Sequence, residues 1–117
     1  MTSVRMMTRT RRFAVDFIRF CTSLPKTEEC RIIARQLMRS ASSVGANHRA
    51  AQRGRSKSEF IAKLGIVIEE ADEALYWLEV LSDLERGDAD ERERPHREAD
   101  ELVRIAVSAV KSAARTA

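Results

Sequence analysis

The chain has 117 residues, 44% of them hydrophobic and 33% charged, which excludes a disordered chain and leaves room for one modest core rather than two. The net charge of +3 hides two unlike halves: residues 1–57 hold 13 Lys/Arg against 3 Asp/Glu, and residues 58–117 hold 8 against 15. Such a basic half can meet an anionic partner, or an acidic half of its own or of a neighbouring copy.

Four Gly, two Pro and few aromatics, with apolar residues at helical spacing, predict an all-α chain. The first helix is expected over about residues 5–24. Met6, Thr10, Phe13, Phe17, Cys21 and Leu24 stack on one face with Phe20 beside it, and Arg5, Arg9, Arg12 and Arg19 occupy a neighbouring polar face. The Arg-rich start superficially resembles a targeting segment, but Asp16 and Arg19 interrupt any signal core and the pattern continues as a core-forming helix. Pro25 stops it.

Thr27 is the expected N-cap of a second helix over about 28–54, with Glu28 and Glu29 suited to its positive end. About Val44, the residues Cys30, Ile33, Leu37, Ser40, Ala41, His48 and Ala51 fall on one face, and Arg31, Arg35, Arg39, Arg49 and Arg53 fall opposite. At about 1.5 Å rise per residue this arginine stripe would run roughly 33 Å. Gly45 in mid-helix should cost about 1 kcal/mol relative to Ala, which a close helix contact at its Cα would explain.

"SKSE" at Ser56–Glu59 reads as a capping box opening a third helix, about 57–86. Its main apolar face is Phe60, Leu64, Val67, Ala71, Ala74, Leu75, Leu78 and Leu81. Ile66, Trp77, Val80 and Leu84 form a second stripe interrupted by Glu70 and Glu73. That stripe is either the rim of a wide core covered by the chain ends or a subunit interface anchored by Trp77. "RGDADERERPH" is expected as a loop with Pro95 near the start of the fourth helix, about 96–114. That helix presents Ala99, Leu102, Ile105, Ala106, Ala109, Val110 and Ala113, an Ala-rich face for close packing. The whole is an antiparallel up-down-up-down four-helix bundle in a single domain.

"SLPKTEE", "QLMRSASSVGAN", "RSKSEFIAKL" and "EADEALYWLEVL", in that order across about residues 13–84, resemble the four helix bundle protein family. That family was noticed as open reading frames within intervening sequences of bacterial large-subunit ribosomal RNA genes. The resemblance implies a homopentamer of four-helix bundles. It also implies kinship with the accessory protein of diversity-generating retroelements, a similar basic pentamer thought to bind nucleic acid with a reverse transcriptase. The family's activity is unknown. Where its pattern often has Asn-Ile-Ala-Glu-Gly, this chain has Asn47-His48-Arg49-Ala50-Ala51.

No enzymatic constellation emerges. The glutamates of the third helix point away from its apolar face and lack Glu-x-x-His spacing, so no metal site or cofactor is expected. Cys21 and Cys30 fit no metal motif and read as reduced core residues of a cytoplasmic protein. Asn47 and His48 are expected to be buried polar groups with local hydrogen-bond partners, the alternative being a ligand or acid–base histidine. No membrane association is expected, because no run approaches the roughly 20 apolar residues of a span. The expected activity is non-enzymatic. The arginine stripe of a cyclic homo-oligomer would bind the backbone of RNA or DNA, with few aromatics to stack on bases. The alternative is an interaction scaffold whose arginines face water or a neighbouring subunit's carboxylates.

Overall fold

The computed structural model describes residues 3–116. Four helices fill it: α1 (Ser3–Thr22), α2 (Glu28–Gln52), α3 (Lys57–Asp83) and α4 (Ala89–Arg115), with no strand among the described residues. Each helix packs on its neighbours in sequence, and α1 meets α4 along a shorter seam. Short connections make consecutive helices antiparallel, and the rod measures 50 × 21 × 19 Å.

The apolar stripes become the core. All eight residues of the α2 stripe, Val44 included, are buried. They meet Phe13, Phe17 and Phe20 of α1, Leu64, Val67, Leu78 and Leu81 of α3, and Leu102 of α4. Phe13 and Phe17, one turn apart, tilt against each other with ring centroids 4.5 Å apart. Ala71 and Ala74 on α3 and Ala99 and Ala106 on α4 are buried, so small side chains let these two helices pack closely. Gly45 has the close contact its position suggests: a Cβ there would lie 3.3 Å from the Thr10 carbonyl oxygen of α1.

The caps explain where the helices begin. Thr27 Oγ1 accepts from the Cys30 N–H at 3.3 Å. Ser56 Oγ accepts from the Glu59 N–H at 3.1 Å, while the Glu59 carboxylate accepts from the N–H of Arg55 at 2.6 Å, one residue earlier than a regular capping box.

The fourth helix starts seven residues before the expected 96. Asp88 Oδ1 accepts from the N–H groups of Asp90 (2.8 Å) and Glu91 (3.2 Å), and the acids of this first turn suit the helix dipole. Pro95 therefore lies inside α4, buried, at its seventh position and past the first turn, so its missing N–H leaves the Glu91 carbonyl without its helical donor. The α3–α4 turn is correspondingly short. The Glu85 N–H bonds the Ser82 carbonyl and the Arg86 N–H bonds the Leu81 carbonyl. That is a Schellman ending whose left-handed residue is Glu85 (φ 56°) rather than glycine. Gly87 is also left-handed (φ 78°), and a Cβ there would sit 3.0 Å from Leu24 Cδ2.

Candidate nucleic-acid interface

The five stripe arginines divide into one that is engaged and four that are not. Arg39 turns toward α3. Its Nη1 lies 2.8 Å from Glu70 Oε2, its Nη2 bonds Glu73, and Ser40 Oγ donates to the same Glu73 carboxylate at 2.7 Å. The Arg39 guanidinium and the Ser40 hydroxyl hold the Glu73 carboxyl below the usual carboxylate range, the hydroxyl contributing most. Arg31, Arg35, Arg49 and Arg53 are exposed. Among the described residues, none of these four has a carboxylate within ion-pair distance.

Arg31, Arg35 and Arg49 border the outer groove between α1 and α2. One hollow of about 340 Å³ has Arg11 and Arg49 at its rim and Met7, Ala14, Ser42, Gly45 and Ala46 within. A second, of about 260 Å³, is lined by Arg31, Arg35 and Lys26 together with Met38 and Ala34. Neither has an acidic lining residue. Arg11 and Lys26 join the basic face although the sequence did not single them out. Arg11 lies on the outer side of α1, and only the rotation of α1 against α2 brings it beside Arg49. Arg9 leaves it: its guanidinium grips Glu98 of α4 through two bonds, Nε to Oε2 at 3.0 Å and Nη2 to Oε1, and reaches Glu101 at 3.2 Å.

The proposed interface residues lie on α3. Ile66, Trp77 and Val80 are partly buried and Leu84 is exposed; Trp77 and Val80 pack against the edge of the chain's own core. Ile66, Glu70, Glu73, Trp77 and Leu84 follow one another at helical spacing, and the Arg39 pairs place that edge of α3 beside α2. Across the seam Ile32, 54% exposed, comes level with it, because Arg39 opposite Glu70 and Glu29 opposite Arg86 set an antiparallel register. Tyr76, 57% exposed, rests edge-on against Trp77 with ring centroids 5.0 Å apart. Ile32 was not anticipated, because on α2 alone it is an isolated apolar residue.

Residues 2–108 match the family described as 23S rRNA-intervening sequence protein. The chain belongs to that family. It is also similar to a crystal structure of a protein of unknown function from the S23 ribosomal protein family of Bacteroides thetaiotaomicron VPI-5482. The two share 30% identity with a TM-score of 0.83, over 90% of this chain and 97% of that one. No curated protein matches the chain.

Asn47 and His48 behave differently from each other. Asn47 Nδ2 donates to the Ser43 carbonyl and to Ser43 Oγ, both at 2.9 Å, so it has the local partners expected of it. His48 is 4% exposed and its Nδ1 has no partner, contrary to that expectation. Burial holds its pKa below the ordinary histidine value. Both cysteines are free and buried. Burial pushes the Cys21 thiol up to about 12, which makes it a poor nucleophile, and its Sγ donates to the Ala34 carbonyl at 3.6 Å. Among the described residues no three His, Cys, Asp or Glu side chains are placed to hold a metal ion, and no helix is long and apolar enough to cross a membrane.

Proposed function

We propose that this chain is a non-enzymatic homo-oligomer that binds the phosphate backbone of RNA or DNA through the α1–α2 face, with Arg31, Arg35, Arg49 and Arg53 as the contacts. The supporting observation is that these four guanidiniums are exposed and, among the described residues, have no carboxylate within ion-pair distance, while Arg31, Arg35 and Arg49 border two hollows whose described lining is free of acids. Guanidinium forks match phosphate oxygens. Without exposed aromatics along the groove, recognition is of charge and shape rather than of bases. Arg39 is excluded from the contact set because α3 already holds it.

A second reading, an oligomeric scaffold without a nucleic-acid role, is favoured by the apolar edge of Ile32, Tyr76, Trp77 and Leu84. Basic and acidic faces on different sides of one subunit suit a head-to-tail contact that closes into a ring.

Binding of fluorescein-labelled single-stranded RNA and duplex DNA across a salt series tests the first reading. Arg35→Gln with Arg49→Gln should weaken binding similarly for unrelated sequences. It should also flatten the log-affinity against log-salt slope by about 1.4 for single strands and about 1.8 for duplex. Unchanged affinity at low salt defeats the phosphate reading. Loss of the oligomer in light scattering instead assigns these arginines to a neighbouring subunit's carboxylates.

A further inference from the structure

Each hollow of the basic face sets arginines beside a methionine. Between Arg11 and Arg49 it is Met7, and beside Arg31 and Arg35 it is Met38. Both methionines are only partly buried, and Ala46, next to Met7, is exposed. On α1 the two hollows are joined by Ile18, 40% exposed. It stands one turn after Ala14, which lines the first hollow, and one turn before Thr22, which lines the second. Apolar surface therefore runs along the groove between the arginines. A phosphate contact needs none of it.

We propose that the α1–α2 face takes single-stranded nucleic acid in preference to duplex, with a base seated in each hollow and the adjoining phosphates on the arginines. This rests on the phosphate-binding reading above and names the form of nucleic acid. Methionine makes favourable contacts with aromatic rings, and a guanidinium plane stacks on a base. A simple anion gains nothing from the methionines, and an apolar ligand gains nothing from the arginines. A nucleotide gains from both. Ala34 and Ala46, one in each hollow, are twelve residues apart on α2, about 18 Å at the helical rise. One free nucleotide therefore fills one hollow, whereas a strand of several reaches both. A duplex keeps its bases stacked inside and would have to extrude one to fill either. Walls of Ala and Met do not tell one base from another, so the preference is for strandedness and not for sequence.

The test uses the full chain and fluorescein-labelled DNA: a short strand of mixed sequence, its duplex, and the same strand with abasic residues through its centre. Charge density alone favours the duplex. The intact strand should nevertheless bind about tenfold tighter than the duplex, and about tenfold tighter than the abasic strand, which carries the same phosphates. Ala46 is exposed, so Ala46→Leu fills its hollow without removing an arginine or entering the core. It should cut single-strand affinity several-fold and leave duplex affinity unchanged. Three results overturn the proposal while the phosphate reading stands: duplex binding as tight as or tighter than the strand, abasic binding equal to intact, or an unchanged preference in Ala46→Leu. Failure of every DNA to bind at low salt overturns both readings. Binding of a Glu-rich amphipathic helical peptide would then make the face a protein-docking groove.

Discussion

Arg39 of α2 and Glu70 of α3 form a two-point ion pair, Nη1 to Oε2 at 2.8 Å and Nη2 to Oε1 at 3.4 Å. It ties together the two helices that carry the basic stripe and the acidic face. The same guanidinium that looks like a phosphate contact on a helical wheel is instead a strut. Arg39→Ala should therefore lower stability by roughly 0.5–1 kcal/mol, modest because the pair is half-exposed, and urea denaturation measures it. The same variant should weaken RNA binding less than Arg35→Gln does; an equal or larger loss would return Arg39 to the contact set.

Trp77 packs on its own core with a buried Nε1 that has no acceptor. Trp77→Phe removes that donor and keeps a ring, so stability should stay level or rise by up to about 1 kcal/mol. Trp77→Ala should cost about 2 kcal/mol by lost packing. If the α3 edge is a subunit contact, it should also lower the mass seen by light scattering on dilution. A variant that loses stability but keeps its mass would make Trp77 a lid on the chain's own core only.

His48 gives stability a pH dependence of known sign. Its folded pKa lies below the unfolded value because burial disfavours the charged ring. Between those two values the unfolded chain binds more protons than the folded one, so stability rises with pH there and is fully present above the unfolded pKa of about 6.5. Acidifying from pH 7.5 toward pH 5 should lower the urea midpoint of the wild type more than that of His48→Leu. Equal declines would mean that His48 charges freely in the folded state.

Glu85 and Gly87 lie in the α3–α4 turn, both with positive φ. Glu85 holds a left-handed conformation with a side chain that gains nothing visible from it. Glu85→Gly should therefore stabilise the protein by about 0.5–1 kcal/mol. Gly87→Ala should do the reverse, by about 1–2 kcal/mol, through backbone strain and crowding against Leu24. Thermal melts of the two variants should move in opposite directions.

Much of the fold was legible because amphipathic periodicity is a strong signal over helices of 20 to 27 residues. The start of α4 was not. Pro95 is a common first helical residue, and it outweighed Asp88, whose carboxylate caps two N–H groups. At the candidate site the sequence placed the stripe of Arg31, Arg35, Arg39, Arg49 and Arg53, but not the division within it. It also missed Arg11 and Ile32, which carry no signal on their own helices, and Lys26, which lies in the α1–α2 connection.

By itself, then, the sequence determined which face of each helix is apolar, where two of the caps lie and that the chain folds as an all-α bundle. These follow from the helical repeat and from local hydrogen bonding. Only the tertiary structure decided that Arg39 is held while Arg35 is free, that Arg11 stands beside Arg49, and that the buried His48 Nδ1 is left unpaired. Those outcomes depend on the rotation and register of one helix against another, set by the Gly45–Thr10 approach and by the Arg39–Glu70 and Arg86–Glu29 pairs. No single helix's periodicity contains them.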